Sequence, residues 1–172
     1  MALNARIADL PLLHPRLLWD DVIAAATYVL SSESVEPFQT CAVDVRDVPE
    51  FGSARVDLRV RLSGLPEQRL ERVRRTYEPS RMIELAAIAV AGLALYHCGG
   101  HEIIDVAARG THADYLVDDD RRPLEVAGRS RRQDLRPAWK PKWQRLRDRA
   151  QEGFYLFVME FETRSARLAY GN

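Results

Sequence analysis

The sequence contains only two cysteines, Cys41 and Cys98, which lie far apart in different sequence contexts. This low count excludes a disulfide-rich secreted scaffold; one disulfide stays open, but reduced, buried thiols are the expectation. No run of eighteen or more apolar residues is present, and the first sixteen residues lack the basic start, long apolar stretch and cleavage site of a signal peptide. We therefore expect a soluble, cytoplasmic protein that does not span a membrane.

Several catalytic motifs are missing as well. There is no Gly-rich phosphate loop, no G-x-S-x-G elbow and no H-E-x-x-H helix, which excludes P-loop, serine-hydrolase and zincin chemistry in their usual forms. A net charge is also lacking, since 25 basic side chains balance 25 acidic ones. The balance is uneven, because residues 121–150 hold eleven basic and three acidic residues. This segment either forms a face for polyanions or pairs with acids of the N-terminal half, within the chain or across a dimer.

The 172 residues suit one compact domain or a core with an N-terminal extension. A helix is predicted from about Trp19 to Ser31 by its apolar spacing. Residues 38–48 and 53–64 predict a β-hairpin with one wet face, because apolar and charged side chains alternate in the second segment. We therefore divide the chain into a helix-plus-hairpin extension, residues 1–65, and an α/β core, residues 66–172.

The core sequence predicts a definite order of elements. A short charged helix opens at Pro66 and is followed by an almost wholly apolar helix that ends at Gly99-Gly100. Three extended segments follow as a meander, then a basic helix over about 137–151 and two strands, the first of them an interior strand. The predicted fold class is α/β, with a helix, a three-stranded meander, a helix and a strand as its centre.

Three carboxylates stand in apolar surroundings in this core. Glu84 falls in the first turns of the apolar helix, Asp114 interrupts a strand, and Glu125 lies inside the next strand between Leu124 and Val126. Carboxylates within apolar elements are costly to bury unless they are paired or bound to a cation. Two neighbouring strands joined by an acidic turn place Asp114 and Glu125 side by side. Such a pair suits a hard divalent ion such as Mg²⁺.

This arrangement resembles the PD-(D/E)XK, or restriction-endonuclease-like, nuclease superfamily over residues 79–163. The corresponding positions are Glu84 on the helix, Asp114 on the second strand, and Glu125-Val126-Ala127 at the D/E-x-K tripeptide. The resemblance implies hydrolysis of DNA phosphodiesters with Mg²⁺ or Mn²⁺ held by Asp114 and Glu125. It also implies that Glu84 orients a second ion or a water. A phage-defence or mobile-element setting rests on the same resemblance.

One position departs from the family pattern, because Ala127 stands where the tripeptide has lysine. Arg129 on the same strand can supply charge but is a poor base. Lysine has moved to the following helix in some members of the superfamily, which makes Lys140 and Lys142 the other candidates. Lys142 is preferred, since Lys140 precedes a proline near the helix start. The predicted catalytic residues are therefore Glu84, Asp114, Glu125 and Lys142.

The basic residues Arg129, Arg131, Arg132 and Lys140 are predicted to contact nucleic-acid phosphates without reading sequence. An alternative from a different class is a catalytically degenerate member of the fold that binds nucleic acid or a protein partner. Its interaction surface would be residues 17–64, where the hairpin is expected to leave an exposed edge strand. Such an edge invites pairing with a partner or with a second copy, as in a homo-oligomer.

Overall fold

The computed structural model describes residues 1–32, 36–150 and 152–172. The described residues form a mixed α/β fold with one eight-stranded sheet in the order β1-β3-β2-β8-β7-β6-β5-β4. The strands are β1 (Ala2–Arg6), β2 (Phe38–Val48), β3 (Gly52–Arg61), β4 (Ile103–Val106), β5 (Tyr115–Val117), β6 (Arg122–Arg129), β7 (Phe154–Glu160) and β8 (Ser165–Gly171). The α-helices are α1 (Leu10–Leu13), α2 (Asp20–Ser31), α3 (Glu67–Thr76), α4 (Pro79–Gly99) and α5 (Leu135–Arg149).

The hairpin β2–β3 lies inside the sheet. The two strands pair antiparallel, as the alternating sequence predicts, but β1 pairs parallel with β3 and β8 pairs parallel with β2. The expectation of an exposed hairpin edge is therefore wrong, and the sheet edges are β1 and β4. The strand β1 itself was not predicted from the sequence. The sheet contains strands from both sides of residue 65. The division of the chain into an extension, residues 1–65, and a core, residues 66–172, stays a prediction.

The other half of the sheet follows the predicted order of the core. Helix α4 leads into the antiparallel strands β4, β5 and β6, and α5 then connects β6 to its parallel neighbour β7. Strand β7 is buried along its whole length, as its apolar run predicts. Helix α5 begins at Leu135, slightly before the predicted start, and the last residue of the predicted helix, Gln151, lies outside the described residues.

The helices cover the sheet from two sides. Alternate side chains of β7 face opposite ways, so Tyr155 and Phe157 join one apolar cluster with α2 and α4, and Leu156 and Val158 join another with α5. Helix α4 is long and apolar enough to cross a membrane by length and composition, but 72% of its most apolar window is buried within the fold. That burial is consistent with the core helix of a soluble protein. Gly100, with φ of 72°, ends the helix in the left-handed conformation that favours glycine.

Strand β6 approaches α4 closely at Gly128. A Cβ atom added there would lie 2.5 Å from the Ile83 carbonyl oxygen and 2.8 Å from the Ile83 Cγ2 atom. Helix backbone cannot move aside as a flexible side chain does, so glycine sets the distance between the two elements. This contact fixes where the end of β6 lies relative to the first turns of α4.

We predict that Gly128→Ala lowers the free energy of unfolding by about 1–3 kcal/mol, because the added methyl group overpacks the contact between β6 and α4. The measurement is urea denaturation followed by circular dichroism. Gly64→Ala is the matched control, since a Cβ at Gly64 meets nothing within 4 Å. Equal stability of the two variants would contradict the close approach.

Candidate functional site

The candidate site forms where β5 ends beside β6. Strand β5 has three residues, and on its β6 side it pairs with residues 122–124 and with no later residue of β6. Asp114 lies immediately before β5, so it does not interrupt a strand as the sequence suggested. Its backbone N–H donates to the Leu124 carbonyl oxygen at 2.8 Å, and its Oδ2 atom accepts the Val126 N–H at 2.8 Å. The Asp114 side chain thus continues the hydrogen bonding of β6 beyond the last residue of β5 that pairs with it.

A pocket of about 360 Å³ opens at this point of the sheet. It contains all four of the predicted catalytic residues, together with residues from α4, β4 and β6. The lining residues are Arg81, Glu84, Ile88, Val106, Asp114, Tyr115, Glu125, Val126, Ala127, Arg129 and Lys142. We call it the carboxylate pocket. The fold therefore brings together side chains that are far apart in the chain, since the predicted catalytic residues Glu84 and Lys142 are 58 positions apart.

Glu125 is the most deeply placed of these side chains, with 5% of its surface exposed. Its Oε1 atom accepts a hydrogen bond from the Lys142 ammonium group. Arg145 donates from Nη2 to Oε1 at 2.8 Å and to Oε2 at 3.0 Å. Lys142 and Arg145 are three residues apart, so α5 presents both cations on one face. Both oxygens of the buried carboxylate are thus paired, which offsets the high cost of burying a charge.

Arg145 was not identified from the sequence. The signal was its spacing of one helical turn from Lys142, with the two cations projecting from the same side of a helix that follows the strand of Glu125. Lys142, the lysine preferred from the sequence, reaches Glu125 from α5. Lys140 is exposed on α5 and does not line the carboxylate pocket.

Asp114 has a different electrostatic environment. The residue is exposed as a whole, but its carboxyl group is drawn into the pocket, and this desolvation raises its pKa above the ordinary aspartate value. The Val126 N–H lowers the pKa, Glu125 and Glu84 raise it, and Lys142 lowers it. The raising effects win. Asp114 Oδ1 has no hydrogen-bond partner among the described residues, which leaves one oxygen free toward the pocket.

Glu84 is not embedded in the core, contrary to what its apolar neighbours suggested. Half of its side-chain surface is exposed, and its carboxylate pairs with Arg81 at 2.9 Å one turn earlier on α4. An exposed pair of this kind is worth only a few tenths of a kcal/mol. Glu84 therefore contributes charge at the rim of the pocket.

The other predicted basic residues lie along the segment after β6. Arg129 lines the carboxylate pocket and donates to the Gly128 carbonyl oxygen at 2.7 Å. Arg131 and Arg132 are exposed, and the Arg132 backbone N–H donates to Glu162 Oε2 at 2.7 Å. These two side chains belong to a neighbouring pocket beyond the start of α5.

The donors of the carboxylate pocket suit a hard divalent cation in type and number. Mg²⁺ usually takes one or two carboxylates and completes its octahedron with water and phosphate oxygens, and Asp114 and Glu125 supply two carboxylates here. No group of three or more His, Cys, Asp or Glu residues within the described part of the chain is placed to hold a metal ion. Glu125 also shares its oxygens with Lys142 and Arg145, so an ion bound to it would have to loosen these contacts.

No protein-family model matches this chain, and neither does any curated protein or solved structure. The residues and geometry of the carboxylate pocket are therefore the basis for the function proposed below.

We predict that Glu125→Gln costs about 1–3 kcal/mol of unfolding free energy, because the buried carboxylate loses its charge while Lys142 and Arg145 keep theirs. Glu84→Gln is the matched control and is expected to cost about 0.5 kcal/mol or less, since its pair is exposed. Urea denaturation of both variants at neutral pH measures the difference. Similar losses in the two variants would show that Glu125 does not anchor α5.

Proposed function

We propose that this protein is a metal-dependent nuclease that hydrolyses DNA phosphodiesters. The observation that carries the proposal is the position of Lys142, which reaches Glu125 from α5 in the same pocket as Asp114. This lysine takes the place that Ala127 leaves vacant in the tripeptide. The order α4, β4–β6, α5, β7 adds support, since it is the order of elements in the PD-(D/E)XK resemblance. A phage-defence or mobile-element setting in the cytoplasm belongs to the same proposal.

Asp114 and Glu125 would hold the divalent ion, Mg²⁺ or Mn²⁺. When bound, such an ion lowers the pKa of a water molecule and offsets the charge that develops on the phosphate. Lys142 places an ammonium group beside Glu125, where it can neutralise a phosphate oxygen. Asp114 lines the same pocket, and its Oδ1 atom, which has no hydrogen-bond partner among the described residues, can accept a hydrogen bond from a polar ligand. Arg129 and Arg81 surround the pocket with positive charge that attracts a phosphodiester.

A second candidate function is binding of nucleic acid without cleavage. The observation in its favour is Arg145, whose two hydrogen bonds close both oxygens of Glu125. Together with Lys142 they leave Glu125 neutralised within the protein, so it attracts a cation less strongly than a free carboxylate would. In that case the fold keeps its basic surface for phosphates, and the carboxylate pocket stabilises α5 on the sheet.

Cleavage of supercoiled plasmid DNA tests the first candidate. With Mg²⁺ or Mn²⁺ the wild type is expected to nick or linearise the plasmid, and EDTA is expected to abolish this. Asp114→Asn and Lys142→Ala are each predicted to reduce the rate at least about 100-fold, since each removes a charge at the reacting centre. Arg147→Ala removes a cation from the exposed side of the same helix and serves as the control.

The outcomes separate the two candidates. Loss of cleavage in the Asp114 and Lys142 variants, with the Arg147 variant near wild type, supports the nuclease. A wild type that retards DNA in salt-sensitive fashion but never cleaves it supports binding without cleavage. Cleavage that persists unchanged in Asp114→Asn contradicts the assignment of this pocket.

A further inference from the structure

A second and larger pocket lies on the side of the sheet that α5 covers, beyond the start of that helix. Its volume is about 930 Å³. It collects five arginines from three parts of the chain: the strand β3, the strand β8, and the segment that leads into α5 together with the first turn of that helix. These arginines are Arg55, Arg131, Arg132, Arg136 and Arg167. We call this surface the arginine pocket. The sequence singled out only two of its arginines, Arg131 and Arg132.

The acids in the arginine pocket are already engaged by the protein's own groups. Glu160 is fully buried and accepts the backbone N–H of Thr163 at 2.9 Å and of Ser165 at 3.2 Å, with the Thr163 hydroxyl as a further donor. Glu162 accepts the Arg132 N–H at 2.7 Å. Both carboxylates thus organise the turn between β7 and β8 and the entry to α5.

The guanidinium groups are mostly unpaired. Within the described ranges, the side chains of Arg55, Arg131, Arg132 and Arg136 make no hydrogen bond or ion pair, and all four residues are exposed. Arg167 is held in place, since it bonds Asp44 at 3.2 Å and lies 5.2 Å above the Trp139 ring. Arg167 thus pairs with an acid from the N-terminal half, and among the described residues the other four arginines do not.

Five guanidinium groups against two carboxylates leave this pocket with an excess of positive charge. Like charges gathered in one concave surface raise the local potential and repel one another, and an anion relieves this repulsion. Guanidinium forks match phosphate oxygens in geometry and bind them with two parallel hydrogen bonds. The chemistry of this pocket therefore favours a ligand with several phosphate groups.

A third pocket, of about 450 Å³, shares lining residues with both the arginine pocket and the carboxylate pocket. It shares Glu84 and Arg129 with the carboxylate pocket, and Arg131 and Gln133 with the arginine pocket. Residues 128–131, 133 and 134, from the end of β6 and the segment that leads into α5, line this third pocket. The arginine pocket and the carboxylate pocket are therefore both next to the segment after β6, where one extended polyanion could contact both.

We propose that the arginine pocket binds backbone phosphates of the same DNA molecule whose phosphodiester enters the carboxylate pocket. That the bound DNA is also the molecule that is cleaved rests on the proposed function, whereas the affinity of the pocket for phosphate depends on the arginines alone. Contacts of this type are electrostatic and independent of base sequence. Arg167, fixed by Asp44 and Trp139, orients the far wall, and the four free guanidiniums adjust to the backbone.

Binding of a fluorescein-labelled DNA duplex tests this proposal, with anisotropy measured in EDTA over a series of salt concentrations so that no cleavage occurs. The double variant Arg55→Ala/Arg136→Ala is expected to bind about tenfold or more weakly at low salt. Its slope of log K against log salt should fall by about 1–2, since each lost phosphate contact accounts for about 0.9. The control, Arg72→Ala/Arg75→Ala, removes two exposed arginines from α3, which packs on the opposite layer.

The control pair is expected to change the affinity less than twofold, and thermal melting of both double variants should match the wild type, since no described contact of Arg55 or Arg136 side chains is lost. An equal effect of the two pairs, or none in either, overturns the proposal. Arginine-dependent binding of tripolyphosphate by a wild type that does not bind the duplex also overturns it, because the pocket would then serve a small free anion. Arginine-dependent binding without cleavage in Mg²⁺ leaves this proposal standing while the nuclease fails.

Discussion

The buried carboxylate of Glu125 is the interaction on which the rest of the site depends. It lies on β6 with its oxygens bound by Lys142 and Arg145, and so fixes the position of α5 relative to the sheet. A carboxylate with 5% of its side-chain surface exposed is costly to bury without such partners. Because α5 is held this way, Lys142 lies inside the carboxylate pocket, and the start of α5 forms one wall of the arginine pocket. The ion cluster around Glu125 thus helps to position both the carboxylate pocket and the arginine pocket.

The two faces of the sheet differ in the side chains that cover them. The face under α2 and α4 is filled by apolar side chains and carries the main core. The face under α5 has a smaller apolar cluster, with Leu146 and Phe154 among its members, and leaves room for charged groups beside it. On this second face Trp139 and Trp143 stack on each other with ring centres 5.5 Å apart, and Trp143 meets Phe154 edge-on. These tryptophans pack α5 onto the sheet.

Much of the fold could be predicted because its signals are local. Helix α4 follows from its long apolar run and the Gly99-Gly100 stop, β7 from a continuous apolar run, and the hairpin from its alternating side chains and the turn at residues 49–52. The strand β1 could not be predicted, since its pairing with β3 depends on contacts about 55 residues away along the chain, as between Ala2 and Asp57. The same holds for the outer edge of β2 in the hairpin, which pairs with β8 and is therefore not exposed.

The site was predictable in its residue types and less so in its environment. The proline that follows Lys140 near the helix start favoured Lys142 over Lys140, and in the structure Lys142 contacts Glu125. The exposure of Glu84 depends on which side of α4 faces the sheet, and an almost uniformly apolar helix gives no such signal. Arg145 was missed because a basic helix offers many cations, and only the fold shows which of them meets the buried carboxylate.

Isothermal titration calorimetry with Mn²⁺ tests most directly whether the carboxylate pocket holds a divalent cation. We expect one ion per chain in the wild type and none in Asp114→Asn. On acidification, binding should weaken at a higher pH than it would for an ordinary aspartate. The reason is that the raised pKa of Asp114 lets its carboxyl group take up a proton at a higher pH. A protonated carboxyl group no longer binds the ion. Binding of equal strength in Asp114→Asn, or a wild type that binds no ion at neutral pH, would contradict this expectation.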